Sequence, residues 1–505
     1  MTGFVLSNLT SLARTILTAR VFGADAALDA FNAAQRLPDI LFMLVAGGAL
    51  ASAFIPTVTE FLERGDRAGA WRLSAAIINL VFSALLVISL LAWVFAGPLV
   101  AATTQFDAAQ QVLTVELLRI ILISPVIFGI SGIFMALLNT HQRFWLPALA
   151  PTMYWGGMIA GLVFLTPTMG IHGLAWGAVL GAVLHFGVQL PGVLRLPGRA
   201  YRLTFGLEMP AVREVGRLMA PRLLGVAVVQ INFLVNVLVG SGLPAGSLSA
   251  IDYAFRIMTM PQVVIAQAIS IAALPTFSAQ VARGALGDMR SSLTATLRGI
   301  LFLSLPATMG LILLRQPVIE LLYQRGQFSA ADTELVAWAL LWFTVGLVGH
   351  SLVEILSRAF YALHDTRTPV MVGVGAMSLN VLFSFTFPAW FMSLGWAPLG
   401  GLALANSLAT ALEMMVLLIL MRRRLAGLHE RHLLFGAGKS MLATTLMGTA
   451  VLGFMAAFPG LSIWFSVPIA IGLGGGLYAG AMLLLRVEEA QALLNALTRR
   501  LARVS

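Results

Sequence analysis

The sequence predicts an all-α integral membrane protein of about 14 transmembrane helices, arranged as two six-helix lobes plus two C-terminal helices. Three observations carry that expectation. Of 505 residues, 59% are hydrophobic and only 10% charged, with a mean hydropathy of +0.92, whereas soluble domains carry about 25% charged residues. Apolar runs long enough to cross about 30 Å of hydrocarbon follow one another with little chain left between them. An internal repeat relates the first half to the second.

The apolar segments run approximately over 3–22, 28–60, 72–100, 112–139, 145–167, 171–195, 212–241, 248–278, 294–314, 331–362, 368–394, 397–422, 439–458 and 461–486. The first does not read as a signal peptide: no basic residue precedes it, Arg14 interrupts it, and no convincing cleavage site follows. Gly3 already lies inside it, so the true start codon is expected elsewhere. The second is long for one span and holds Pro38, Gly47, Gly48 and Pro56, so a bent helix is expected there. Bends at membrane depth are tolerated where they line a cavity.

Basic residues collect in alternate connections: Arg64, Arg67 and Arg72; Arg143; Arg195, Arg199 and Arg202; Arg283 and Arg290; Arg367; and Arg422 through Lys439. The connections between them are nearly free of Lys and Arg, apart from Arg315 and Arg325. This bias puts both termini, including the basic tail, in the cytoplasm. It also accounts for the net charge of +10 without a nucleic-acid partner. The chain has no cysteine, which excludes disulfides and thiolate metal sites.

The repeat is read from TQFDAAQQVLTVELL at Thr104 against GQFSAADTELVAWALL at Gly326, and from LNTHQRFWLP at Leu138 against YALHDTRTP at Tyr361. His141 and His364 lie the same distance apart as Pro38 and Pro261. A third match, AFIPTVTEFLERG against AALPTFSAQVARG, is displaced by one helical turn. The offset is an even number of segments, so the copies share an orientation and a pseudo-two-fold axis along the membrane normal relates them. Residues 1–205 and 206–425 become the lobes, and 426–505 carry the last two helices and the tail. Substrate sites in such proteins lie between repeats.

Charges inside apolar segments are costly, at least about 2.5 kcal/mol each on insertion scales, so they face water, protein or ligand. Segments one and two hold Arg14, Arg20, Asp29, Arg36 and Asp39, which implies a polar cavity. Arg14 and Arg256 stand deep in opposite lobes and together would clamp a phosphate or diphosphate, since guanidinium stays charged and bonds oxygens in pairs. The competing reading pairs each with a structural carboxylate such as Asp29 or Asp252, or lets it snorkel to an interface. Arg20 and Arg36 suit either a cavity or a water interface. Asp29 and Asp39 suit balancing the arginines, or coupling to cation movement. Glu354 with Arg358 and Glu116 with Arg119 have intrahelical pair spacing, Arg222 suits cavity or headgroups, and Asn232 and Asn236 suit interhelical bonding.

Searches for enzyme chemistry are nearly empty. There is no H-E-x-x-H, no phosphate-cradling G-x-x-x-x-G-K-[ST] and no nucleophile elbow. His429 and His432 lie in a basic connection and read as a solvated face. The chain reads as a transporter, with no cofactor or metal expected, and with coupling to an ion or the membrane potential left open.

Taken together, AR-x-FGA followed by DAF-x-x-A-x-[KR]LP, then LNT-x-x-RF-x-[IL]PA-x-AP at Leu138, the motif around Tyr253 and FY-x-x-x-D-x-[KR]TP at Phe360 resemble the MurJ (MviN) family of lipid II flippases. That family belongs to the multidrug/oligosaccharidyl-lipid/polysaccharide superfamily. The resemblance runs over nearly the whole chain. It implies two six-helix lobes with two added helices, and transfer of undecaprenyl-diphosphate-linked peptidoglycan precursor to the outer leaflet of the bacterial cytoplasmic membrane by alternating access. It also implies that Arg14 and Arg256 engage the diphosphate, that Asp29 and Arg36 are cavity charges, that the last two helices flank a groove for the lipid tail, and that cell-wall synthesis proteins are partners.

The chain departs from the family where arginine and acidic residues are usual: Asn8, Thr15, Phe42 or Met43, Gly47 and Phe255 stand there instead. Those losses motivate two alternatives, a flippase for another lipid-linked oligosaccharide and a non-transporting scaffold. A drug or cation antiporter would want acidic groups in the cavity, and the deep charges here are arginines. A membrane glycosyltransferase would want an acidic motif in a soluble loop, which the chain lacks. No acidic residue lies one turn from Asn380, so a sodium site there is unsupported.

Overall fold

A computed structural model describes residues 2–45, 49–198 and 200–491, with all side chains except those of 2, 4, 45, 49–52, 220–222, 224–229 and 268. Among the described residues every regular element is helical. In order these are α1 Thr2–Phe22, α2 Ala26–Val45, α3 Ala49–Glu63, α4 Arg67–Val94, α5 Ala96–Thr103, α6 Ala108–Ile121, α7 Ile123–Thr140, α8 Trp145–Ala160, α9 Thr166–Met169 and α10 Ile171–Leu194. They continue with α11 Pro210–Gly240, α12 Ser247–Gln262, α13 Ala268–Ala282, α14 Leu286–Tyr323, α15 Ala330–Val345 and α16 Leu347–Ala362. The last are α17 Arg367–Ser393, α18 Leu399–Arg424, α19 Glu430–Ala457 and α20 Ile463–Leu484. π-helical turns at Gly161–Leu165 and Val263–Gln267 join α8 to α9 and α12 to α13.

Every expected segment falls on one of these helices or on a consecutive pair. Among the described residues ten are long and apolar enough to cross a membrane, and α15 with α16, bent by 43°, makes an eleventh. The first, second and seventh segments fall outside that set. Two of them carry the charges discussed above, which lower their hydropathy. Segment two is carried by α2 and α3, and the expected bend falls on Gly47 and Gly48, which lie outside the described residues. Its counterpart in the second copy is the π turn that follows Pro261.

The chain divides into two compact units, Met1–Ser249 with Arg325–Phe328, and Ala250–Gln324 with Ser329–Ser505. In the first, α3, α4, α7 and α11 enclose a core built on Phe54, Leu73, Ile133 and Leu138. Small residues let α8 and α10 approach without a hydrophobic drive. A Cβ on Gly157 would meet the Gly181 Cα at 2.3 Å, and one on Gly161 would meet the Gly177 Cα at 2.4 Å. In the second unit, α13, α14, α16 and α18 enclose Phe277, Leu293, Ile355 and Leu417. There Ser407 donates to the Trp342 carbonyl at 2.6 Å, satisfying backbone freed at the α15–α16 bend. Val87, Leu90, Leu91 and Val94 on α4 are exposed, the pattern of a lipid-facing stripe.

The caps follow the sequence. Asp66 and Asp107 accept from Gly69 and Gln110 amides at 2.7 and 2.8 Å, and Ser329 with Asp332 forms a capping box. Arg298 on α14 pairs with Glu488 and Glu489 at 3.0 and 2.8 Å, tying down the start of the C-terminal tail. The tail from residue 492 lies outside the described residues.

Candidate substrate site

The polar residues of the first unit line up on α2. Asp29, Asn32, Arg36 and Asp39 recur at three- and four-residue spacing, which puts them along one face of the helix. Asp29 is 2% exposed and accepts three hydrogen bonds: from the Gly246 amide at 2.7 Å, the Ser249 amide at 2.7 Å and the Ser249 hydroxyl at 2.6 Å. Its carboxylate therefore caps the first turn of α12, where unsatisfied N–H groups and the helix dipole supply the compensating charge. The sequence reading balanced Asp29 against an arginine. The helix start takes that role instead. Gly246 sits at φ +85° with the Ala24 carbonyl oxygen 2.2 Å from where a Cβ would be, so glycine alone fits the corner that presents its amide.

Further along the face, Asn32 donates to the Ser249 hydroxyl at 3.2 Å. The Arg36 guanidinium lies 5.3 Å from the Phe233 ring centroid, and Asp39 accepts from Gln35 at 3.4 Å. Arg14, on α1, is 4% exposed, and its guanidinium sits 5.7 Å from the centroid of Trp155 on α8. A ring face is a favourable neighbour for a cation inside a low-dielectric bundle. Asn8 and Arg20 are exposed. Arg20 takes part through its backbone carbonyl, which accepts from the Gln327 amide at 2.9 Å.

In the second unit Arg256 bonds through Nε to Asp252, one turn back on α12, at 2.7 Å. Here the competing reading, a carboxylate beside the arginine, describes the structure. Both side chains keep partial exposure, 36% and 20%, so the pair is open to exchange. The ring of Tyr253 packs 5.1 Å from Tyr323, and Phe255 packs 5.4 Å from Phe343.

Other charges sort plainly. Glu354 and Arg358 pair at 2.7 Å, as their spacing predicts. Glu116 and Arg119 do not pair with each other: Glu116 turns to His172 at 3.0 Å, while Arg119 bonds the Trp93 carbonyl at 3.3 Å and lies over its ring. Asn236 donates to Asn232 within α11 at 3.2 Å. The Arg222 side chain lies outside the described residues. Outside the membrane, the Thr368 amide and hydroxyl, at 3.0 and 2.8 Å, hold the Asp365 carboxyl below the usual carboxylate range.

Sequence reasoning missed Trp155, Phe233, Ser249 and the two glutamines of the repeated QF motif. Gln105 donates its amide to the Ser241 hydroxyl at 2.8 Å, at the end of α11, and Gln327 does the same to Arg20 at the end of α1. A signal was present. Asp29 and Asp252, like Gly23 and Gly246, stand the same distance apart as His141 and His364, and both glycines have positive φ.

The family model described as "Lipid II flippase MurJ" matches residues 18–472. The lipid II flippase MurJ of Burkholderia cenocepacia is 32% identical over 435 residues, covering 84% of this chain and 83% of that protein. A probable lipid II flippase MurJ of Vibrio cholerae is 30% identical over 517 residues, covering 96% and 94%. Among solved structures, lipid II flippase MurJ in an inward closed conformation superposes with a TM-score of 0.81 at 24% identity, over 96% of this chain and 98% of that one. An inward-facing multidrug resistance MATE transporter of the MOP superfamily superposes at 0.70 with 16% identity, over 84% and 96%. Both superpositions show a shared fold at identities too low to carry function. With a family model spanning most of its length and relatives at 30% identity or more over most of theirs, the chain belongs to the MurJ family of lipid II flippases.

Proposed function

We propose that this protein moves lipid II, the undecaprenyl-diphosphate-linked peptidoglycan precursor, from the inner to the outer leaflet of the bacterial cytoplasmic membrane. The observation that carries the reading is Arg14: a guanidinium 4% exposed, midway along an apolar helix, on a chain of this family. A buried cation at that depth has a use when the ligand is an anion. Arg14 and Arg256 bind the diphosphate from the two lobes, 1–205 and 206–425, with the diphosphate displacing Asp252 from Arg256. Residues 426–505 add two helices beside the lipid tail. Both termini are cytoplasmic, by the distribution of Arg and Lys. Arg20, Arg36 and Asp39 set the cavity's charge, Asn8 serves as a neutral gating residue, and Asp29 closes the end where α12 begins.

No covalent step is needed. The chain exchanges two orientations of one cavity, and the ligand shifts them only by binding each differently. Arg14→Ala and Arg256→Ala are each expected to abolish rescue of a flippase-depleted strain at normal protein levels. Full rescue by both would remove the clamp from the account.

A second reading, a flippase for another lipid-linked oligosaccharide, is favoured by Phe42. Its ring packs 4.6 Å from Phe128, and Phe42 or its neighbour Met43 stands where the resemblance implies an arginine, so this stretch is apolar where a more anionic headgroup would want charge. Native mass spectrometry of the co-purified lipid separates the two readings.

A further inference from the structure

The second unit holds an intramembrane carboxylate that the clamp does not use. Glu413 is the fifteenth residue of α18, about 21 Å from its start and about 16 Å from its end at 1.5 Å per residue. That places it in the hydrocarbon. Among the described residues neither a hydrogen bond nor an ion pair reaches it.

Its surroundings are built. Asn406, Thr410 and Glu413 recur at four- and three-residue spacing on one face of α18. The first two meet His350 of α16, at 3.0 Å from Asn406 and 3.4 Å from Thr410. One and two turns further along α16 come Glu354 and Arg358, which neutralise each other at 2.7 Å, and then Tyr361, whose phenol lies in the field of Glu354, Arg358 and Glu413. From α17 comes Gly373, where a Cβ would stand 3.4 Å from Glu413 Oε1, so the glycine leaves room beside the carboxylate. Besides Arg367 at its first position α17 has no charged side chain, and α15 has none past Glu334. With Arg358 already matched, ionised Glu413 adds one uncompensated negative charge at membrane depth.

Such a group must bind a cation or a proton. A hard metal cation wants about six oxygen ligands, and among the described residues no cluster of three or more His, Cys, Asp or Glu could hold a metal. A proton needs one oxygen. We propose that Glu413 is a proton-binding site that loads and unloads during the conformational cycle, taking H⁺ from water on one side of the membrane and releasing it to water on the other. No other bond changes. As an account of what drives translocation it rests on the flippase reading; as a proton site it does not.

The test uses the full-length protein in liposomes and two readouts. Infrared difference spectra between about pH 5 and 9, the range in which buried carboxyls titrate, are expected to show a protonated-carboxyl band that is lost in Glu413→Gln, kept in Glu413→Asp and unmoved by sodium. An imposed pH gradient is expected to change lipid translocation in the wild type, and that response is lost in Glu413→Gln while the rate without a gradient is kept. Spectra identical in wild type and Glu413→Gln, a band that follows sodium, or a gradient response surviving in Glu413→Gln overturns the proposal. If no lipid moves in any protein, the flippase reading fails and the spectra still decide the proton site.

Discussion

Asp29 and Asp252 occupy equivalent positions of the two repeats and do opposite work. Asp29 is 2% exposed and fully engaged by two amides and a hydroxyl at the first turn of α12. Asp252 is partly exposed and holds Arg256 by a bond at 2.7 Å. A duplicated carboxylate has thus become a fixture in one copy and an exchangeable partner in the other. The difference lies in what surrounds it: a helix start cannot leave, whereas a half-exposed arginine can change ligands.

Substitutions can break that comparison, and the largest effect is expected at Asp29. Asp29→Ala leaves two buried amides unsatisfied and removes charge-assisted bonds, a loss of about 3 kcal/mol or more. A thermal-stability assay in detergent should show a large drop in melting temperature. A drop no larger than that of Asp252→Ala would mean the two aspartates are alike after all. Asp252→Ala itself should change stability by at most about 1 kcal/mol, as for other partly exposed ion pairs. Asp252→Asn sharpens the point. It weakens the ligand's competitor for Arg256, so binding of an undecaprenyl diphosphate should tighten by up to about fivefold, read by equilibrium binding to purified protein.

Smaller effects compare the loops that follow α7 and α16. Gln142 and His364 both adopt left-handed backbone, at φ +56° and +59°. Replacing either with glycine should stabilise the protein by about 1 kcal/mol, measured as a modest rise in melting temperature. In the second loop alone, Asp365 is held below the usual carboxylate range by Thr368. Its contribution is complete above the ordinary carboxylate value of about 4 and is lost as pH falls through the lower, folded-state value. Thr368→Ala should flatten that acid limb slightly, and an unchanged pH profile would remove Asp365 from the account.

The repeat explains how much of this was legible in the sequence. Apolar run length located the helices, because a membrane demands that each span satisfy its own backbone. Matching motifs related the first half of the sequence to the second. The Glu354–Arg358 pair was readable from spacing alone, since helix geometry places such residues together. The Asp29 cap was not, because its partners, the Gly246 and Ser249 amides, lie 217 and 220 residues away and only tertiary packing brings them to α2. Glu116 defeated local reasoning for a related reason: His172, 56 residues away, offers a better partner than Arg119, which the Trp93 ring and carbonyl claim. Trp155 gave no local sign that it would sit by Arg14, since an aromatic in an apolar run usually faces lipid or core.

On the proposed function, Arg14 and Arg256 hold the diphosphate of a membrane-borne precursor. Translocation of lipid II by reconstituted Arg14→Ala and Arg256→Ala proteins tests it most directly. Each lost charge-assisted contact is worth about 1.5–3 kcal/mol, so each variant should slow translocation by roughly tenfold or more while its melting temperature holds. Wild-type rates from both folded variants would contradict the account.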